Sequence, residues 1–293
     1  DQCGSRGLGD VYKRQGTDFP PLMAITATGN PDNAYEVGRI VAKESRAAGV
    51  QWNLSPVVDV NNNPLNPIIN TRSFSERPEI VSEFALRYIK GLQDFGMIST
   101  AKHFPGHGDT QTDSHSSLAM IPSDSSRLWS IELKPFIDVA KAGVDAVMIA
   151  HVHAPDFQPE ADRPATLSDF WVTDILRNQI GYNGTIITDG MGMGGVTKNY
   201  SDDFALVETV KAGCNIIIQN HDIVGSINAI EEAVLNGEIS LDRINSSALK
   251  MLKMKEKVGL HLNPYVNIES MMNHIGIKEH KETSNRISSE AIT

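Results

Sequence analysis

Short apolar runs alternate with amphipathic stretches along most of this chain. Runs of strand length lie at 51–60, 98–103, 146–151, 184–189 and 214–219. The continuously apolar run 146–150 is typical of a parallel strand buried on both faces. Periodic apolar positions predict helices at 30–49, 78–95, 123–142, 168–180, 202–212, 222–236 and 241–258. This repeated β-then-α order predicts an α/β fold with a parallel sheet, either doubly wound or closed as an eight-stranded (β/α)8 barrel of the TIM type.

Composition narrows the class of protein. The 293 residues are 40% hydrophobic, which supports a large core and excludes disorder as the main state. Cys3 and Cys214 are too few for a disulfide scaffold, and no apolar run reaches the roughly 18 residues of a membrane span. A net charge of −10 argues against a nucleic-acid-binding surface. The compartment stays open between the cytoplasm and a secreted or cell-envelope location.

Residues 1–15 depart from the α/β pattern. They show neither strand nor helix periodicity, contain three glycines and do not begin with Met. We interpret them as an atypical N-terminal segment, and we expect the folded domain to start at Gly16 with the native N-terminus missing.

Polar side chains follow four of the predicted strands at the point where each strand ends. They are Asp59, Lys102-His103, His151 and Asp189. One polar strand end is ordinary and fits a capping role. In a parallel α/β fold, however, the carboxyl ends of the strands form the ligand-binding face. Four such ends therefore favour a shared site over independent caps.

The stretch from Lys102 to His115 holds three His, two Asp and one Lys on a loop punctuated by Gly and Pro. For any single His, a solvated loop with hydrogen-bonded imidazoles is the simpler explanation. Asp113 and His115 are separated by one residue, so in an extended segment their side chains point to the same side. A carboxylate beside an imidazole fixes its tautomer and favours the protonated ring. His115 is therefore a candidate general acid/base.

A glycine-rich turn follows Asp189. Gly190, Gly192 and Gly195 match the dinucleotide fingerprint G-x-G-x-x-G, but that fingerprint needs a helix that begins at the glycines. Here 196–201 is predicted to be loop. The glycines are better explained as clearing space around Asp189, whose carboxylate could attack the anomeric carbon of a sugar. An Asp that caps the following turn is the alternative.

The string KHFPGHGDTQTDSH at 102–115 resembles the signature of the bacterial β-N-acetylglucosaminidases of glycoside hydrolase family 3. The similarity extends, in the family's order and spacing, to 55–60, 70–74, 150–152 and 187–191. The resemblance implies a (β/α)8 barrel that removes terminal β-linked N-acetylglucosamine, with retention, from peptidoglycan fragments or chitin oligomers. Carbohydrate is then the expected partner, and neither a cofactor nor a metal is implied.

The resemblance also assigns roles residue by residue. Asp189 matches the nucleophile, and His115, tuned by Asp113, matches the general acid/base. The positions that would hold the sugar are Asp1, Arg72, Lys102, His103 and His151. After Asp1, residues 3–5 depart from the family's pattern.

Domain boundaries follow from the same resemblance. We expect an atypical segment at 1–15 and a catalytic barrel domain at 16–262 that is incomplete at its N-terminus. Because 286–293 resembles the entry into the second α/β domain that many members carry, 263–293 is expected to be a linker towards such a domain in the full-length protein.

Two other functional classes stay open. A metal-dependent barrel hydrolase could draw its ligands from His103, His107, Asp113, His115, His151 and His153. His151 and His153 form a candidate ligand pair, although no set of fixed carboxylate ligands accompanies them. A non-catalytic glycan-binding domain would bind N-acetylglucosamine oligomers without turnover. Chelators test the first class, and turnover tests the second.

Overall fold

The computed structural model describes residues 16–122, 124–160, 162–218 and 222–292. A four-stranded parallel sheet lies at its centre, in the order β1 (Thr100–Phe104), β3 (Ala146–Ile149), β5 (Thr185–Gly190) and β6 (Ile216–Ile218). A second parallel pair joins β2 (Ala119–Met120) to β4 (Val152–His153). The parallel α/β arrangement is the one that the apolar runs predict. Because neighbouring strands of the central sheet are all parallel, their carboxyl ends share one edge.

The predicted strand at 51–60 is less regular than expected. It runs parallel to β1, with one isolated bridge to the residues just before it, Trp52 to Ile98, and one to β1 itself, Val57 to Lys102. Pro56 lies between them and has no N–H to donate, so a continuous ladder cannot form there. The segment nevertheless lies beside β1 and carries Asp59 to the same edge as the other strand ends.

Helices surround the sheet. They are α1 (Leu22–Ala27), α2 (Pro31–Ala47), α3 (Pro78–Asp94), α4 (Ser125–Ser130), α5 (Lys134–Lys141), α6 (Gly194–Thr197), α7 (Asp202–Ala212), α8 (Ile223–Leu235), α9 (Leu241–Lys257), α10 (Ile268–Met271) and α11 (Lys278–Glu290). Short 3₁₀ turns cover Asn70–Arg72 and Ala165–Leu167. The start of α2 illustrates the local rules, since the Asn30 side chain accepts from the Asp32 amide and Pro31 occupies the first helical position.

Three predicted segments differ in detail. The helix expected at 123–142 is divided into α4 and α5, because Pro135 lacks the N–H that a continuous helix would need. The helix expected at 168–180 is a wide π-helix, Phe170–Gln179. The stretch 196–201, expected to be loop, begins inside the one-turn helix α6.

The predicted linker at 263–293 includes a helix packed on the domain. Glu44 of α2 accepts hydrogen bonds from Thr17 N and Oγ1, at 2.8 and 2.7 Å, and from Gly276 N at 3.0 Å. It also pairs with His280 Nδ1 of α11 at 2.7 Å. Burial raises the pKa of Glu44, but these contacts outweigh it and hold the pKa below its usual range. We call Thr17, Glu44, Gly276 and His280 the Glu44 cluster.

The core beneath the strand ends is aromatic. Phe104, at the end of β1, packs edge-on against Phe136 and Trp171, with ring centroids 5.3 and 6.1 Å away. All three side chains are fully buried, which fixes the end of β1. Within the ranges given above, none of the helices combines the length and apolar character needed to cross a bilayer.

Candidate active site

The strand ends bring the predicted polar residues to one region. Asp59, Lys102, His103 and His151 are buried, whereas Asp189 is the partly exposed residue of an otherwise buried β5. Burial raises the pKa of Asp189, but His103, His151, the Gly190 amide and Lys102 together hold it below its ordinary value. Asp189 is thus a carboxylate that keeps its charge beside the Lys-His pair.

Asp59 organises the loop that follows β1. Its carboxylate accepts from the amides of His103, at 3.2 Å to both oxygens, and of His107, at 2.7 Å. His103 Nδ1 lies 2.7 Å from Asp59 Oδ2. Burial raises the pKa of Asp59, but the two histidines lower it further, so it stays ionised. Nδ1 of His103 therefore carries the proton, and Nε2 is left as an acceptor.

The sequence places Asp59 at a strand end but assigns it no role. The available signal was its position directly after Val57-Val58, because a buried carboxylate in that place needs several donors. The donors come from a different loop, and nothing in the local sequence identifies them.

Asp113 and His115 form a pair on the exposed part of the same loop. Asp113 Oδ1 accepts from the His115 amide at 2.8 Å and lies 2.7 Å from His115 Nδ1. The side chains are 42% and 64% exposed, so His115 can reach a bound ligand. The pairing is as predicted, but its geometric reason is different. The segment is a turn, closed by the Ser116 amide on the Asp113 carbonyl at 2.9 Å, and is not extended.

The turn after Asp189 holds this loop in place. The amides of Gly194 and Gly195 donate to the carbonyls of His115 and Ser114, both at 3.0 Å. A Cβ at Gly194 would lie 2.5 Å from the Ser116 carbonyl oxygen, so only glycine permits this approach. The two amides at the start of α6, which a dinucleotide phosphate would require, are therefore already used. The glycines clear space for the loop rather than around Asp189 alone.

His107 lies buried beneath the Asp113–His115 pair. Its Nδ1 is 2.6 Å from Thr110 Oγ1, and its Nε2 is 2.9 Å from Ser114 Oγ. Burial lowers the pKa of His107 to about 4, so the ring is neutral near pH 7. From the sequence, His107 is only one of the donors of the metal-dependent alternative.

Of the three remaining predicted residues, the structure describes His151 and Arg72. His151 is fully buried, its Nε2 donates to the Gly190 carbonyl at 2.9 Å, and its Nδ1 lies 2.8 Å from Thr166 Oγ1. Both ring nitrogens of His151 therefore already have protein partners, and its expected contact with sugar stays a prediction. Arg72 is half-buried on its 3₁₀ turn, where Nη1 donates to the Ile68 carbonyl at 3.2 Å. Asp1 lies outside the described residues.

The candidate metal ligands do not converge. Both ring nitrogens of His107 and of His151 have protein partners. His153 Nδ1 is 3.9 Å from Asp162 Oδ1, an exposed carboxylate. In the part of the chain that the structure describes, no three His, Cys, Asp or Glu side chains are grouped to hold a metal ion.

Known proteins resemble this chain in sequence and in structure. The family model for the glycosyl hydrolase family 3 N terminal domain matches residues 4–254 of the sequence. The chain is 33% identical to beta-hexosaminidase A of Pseudoalteromonas piscicida, over 88% of this chain and 47% of that protein. It is 34% identical to a beta-hexosaminidase of Stenotrophomonas maltophilia, over 84% of this chain and 75% of that protein.

A solved structure has the same fold. It is a glycoside hydrolase family 3 beta-N-acetylglucosaminidase from a Paenibacillus species, with a TM-score of 0.89 and 37% identity, covering 94% of this chain and 53% of the other. The chain thus spans about half the length of the Pseudoalteromonas and Paenibacillus proteins. The family match covers most of the sequence, including every described strand. The chain therefore belongs to glycosyl hydrolase family 3.

Proposed function

We propose that this chain hydrolyses terminal β-linked N-acetylglucosamine with retention of configuration, through a glycosyl-enzyme intermediate on Asp189. The observation that carries the proposal is the backbone connection between two loops. Two backbone hydrogen bonds join the loop with Asp113 and His115 to the turn that follows Asp189. A carboxylate nucleophile at the end of β5 and a proton donor on the loop bonded to the following turn are the two groups that a retaining glycosidase needs. The names of the relatives support N-acetylhexosamine as the sugar.

In the first step, Asp189 attacks the anomeric carbon while His115 gives its Nε2 proton to the leaving glycosidic oxygen. The bond from the anomeric carbon to the Asp189 oxygen forms as the glycosidic bond breaks. Asp113 holds Nδ1 at 2.7 Å, which directs Nε2 outward and stabilises the imidazolium. Assistance of this kind contributes roughly 10²–10⁴ in rate.

In the second step, neutral His115 takes a proton from water as that water attacks the anomeric carbon. The ester bond to Asp189 breaks and the carboxylate is released. Two displacements on one carbon restore the original configuration. The lowered pKa of Asp189 keeps it ionised, which suits both attack and departure.

Sugar hydroxyls would be held by Lys102, His103 and Arg72. His103 offers Nε2 as an acceptor because Asp59 holds its Nδ1 proton. Lys102 and Arg72 supply donors, and the planar guanidinium of Arg72 suits a forked contact. This set positions the ring so that its anomeric carbon faces Asp189.

We also propose that the parallel sheet belongs to a (β/α)8 barrel rather than to a doubly wound fold. The sheet follows chain order from 51–58 through β1, β3 and β5 to β6. A doubly wound sheet would reverse this order at its switch point. Closure of the barrel would add strands beyond the five parallel segments of this order. The greater length of the relatives supports a further domain in the full-length protein.

The proposal is tested with His115→Ala on aryl N-acetylglucosaminides of graded leaving-group pKa. Poor leaving groups should lose about 10²–10⁴ in kcat/KM, whereas activated ones need little proton donation and should lose far less. Azide should restore turnover on activated substrates and give the β-configured glycosyl azide. Equal losses across the series would contradict the role of His115. Binding without any turnover by the unmodified protein would favour the glycan-binding alternative.

A further inference from the structure

A buried imidazole connects the two halves of the site. His107 is 1% exposed, and its ring nitrogens lie 2.6 Å from Thr110 Oγ1 and 2.9 Å from Ser114 Oγ. Ser114 is itself buried and stands between Asp113 and His115 in the chain. The hydroxyl partner of His107 is therefore carried by the residue that joins the two members of the exposed pair.

Each ring nitrogen of His107 has a suitable donor or acceptor in either tautomer. Thr110 Oγ1 can donate to the His107 carbonyl, 3.0 Å away, so that Nδ1–H donates to Thr110 and Nε2 accepts from Ser114. In the other tautomer, Thr110 donates to Nδ1 and Nε2–H donates to Ser114 Oγ. Both arrangements keep a hydrogen bond between His107 and Ser114.

The His107 backbone is fixed as firmly as its ring. Its amide donates to Asp59 Oδ1 at 2.7 Å, and its carbonyl accepts from Asn66 Nδ2 at 2.7 Å. The same Asp59 carboxylate fixes His103. One buried carboxylate, Asp59, thus fixes both His103 and His107, the residue beneath the Asp113–His115 pair.

Ser114 is held at two atoms. Its hydroxyl meets His107, and its carbonyl accepts from the Gly195 amide at 3.0 Å. We propose that His107 is a positioning residue that acts through the Ser114 hydroxyl, fixing His115 over the glycosidic oxygen of the substrate. This inference rests on the proposed role of His115. A buried residue that is hydrogen-bonded at two atoms can hold the neighbouring proton donor within reach of its target.

The test compares Ser114→Ala with Ser116→Ala in the full chain. Both remove a hydroxyl from the same loop, but Ser116 is exposed and serves as the matched control. Loss of one hydrogen bond, about 1.4 kcal/mol, corresponds to roughly tenfold. Ser114→Ala should therefore lower kcat/KM about tenfold for poor leaving groups and less than about twofold for activated ones, with KM little changed. Ser116→Ala should change neither.

A second variant distinguishes loss of positioning by His107 from a folding defect of Ser114→Ala. Thr110→Val removes the partner of the other His107 nitrogen and should cause a selective loss of the same kind. If His115→Ala shows the selective loss and neither variant does, the positioning role of His107 is overturned while the proposed function stands. If His115→Ala itself shows no selectivity, both proposals fail. A uniform loss on all substrates in Ser114→Ala also contradicts positioning, because a purely structural defect does not depend on the leaving group.

Discussion

The amide nitrogen of Gly194 lies 3.0 Å from the carbonyl oxygen of His115. This backbone hydrogen bond joins the turn that follows the proposed nucleophile to the residue proposed as the proton donor. Asp189 ends strand β5 and His115 lies on a loop, yet main-chain hydrogen bonds connect the two segments. The relative position of donor and nucleophile is therefore built into the fold before substrate arrives.

Gly194→Ala should disturb that relationship directly. Its Cβ would lie 2.5 Å from the Ser116 carbonyl oxygen and 2.9 Å from that of His115, so the loop must move. Because a displacement of about 1 Å can cost 10²-fold, we expect a loss of that order in kcat/KM for poor leaving groups and less for activated ones. Ser116→Ala is the control, since it removes an exposed hydroxyl from the same loop and adds no atom to the contact with Gly194. Unchanged kinetics in Gly194→Ala would show that the contact does not position His115.

The buried His107 makes the stability of the protein depend on pH. The pKa of its ring is about 4 in the folded chain, below the ordinary value of 6.5. Between these values the unfolded chain binds a proton that the folded chain does not, so the free energy of unfolding falls as pH decreases. His107 alone should contribute a loss of about 2 kcal/mol between pH 6.5 and about pH 5. Urea unfolding of the protein and of His107→Asn measures it: the variant should be less stable at pH 7 but decline less steeply, and equal slopes would count against this account.

The Glu44 cluster should hold the C-terminal helix without affecting chemistry. Glu44→Gln replaces a charged acceptor of four donors, and we expect a loss of about 1–3 kcal/mol in stability. Hydrogen exchange should accelerate in α11, residues 278–290, while kcat stays constant because the cluster shares no residue with the active site. Lys278→Ala on the same helix removes only an exposed pair with Glu282 at 3.6 Å and should have little effect. Unaltered exchange in Glu44→Gln would show that the cluster does not anchor α11.

Chelators should leave activity unchanged. The buried imidazoles of His107 and His151 already have protein partners at both nitrogens, and Nδ1 of His103 is bound to Asp59. Prolonged dialysis against EDTA followed by assay in metal-free buffer measures this. A loss of turnover that zinc or another divalent ion restores would revive the metal-dependent alternative.

Much of the fold could be predicted from the sequence because it depends on local pattern. Short apolar runs identified β3 and β5, and the polar residues at their ends identified the strand ends. The Asp113–His115 pair was also predictable, since the two residues are close in the chain. What could not be predicted depends on contacts between distant segments.

The role of Gly194 shows this limit. Its glycine is needed because the loop carrying Ser116 passes 2.5 Å from where a Cβ would be, some eighty positions away in the chain. The neutral state of His107 likewise results from burial that only the assembled core provides. In both cases the sequence shows the residue type, and contacts in the tertiary structure determine its role.

Covalent trapping of the glycosyl-enzyme intermediate tests directly whether Asp189 is the nucleophile. A 5-fluoro derivative of N-acetylglucosaminyl fluoride has a good leaving group, while its ring fluorine destabilises the oxocarbenium-like transition states of both steps and so lets the intermediate accumulate. Mass spectrometry of the digested protein should find one sugar attached to the peptide that contains Asp189, and Asp189→Asn should remain unlabelled. A sugar attached to any other residue would contradict the assignment of Asp189.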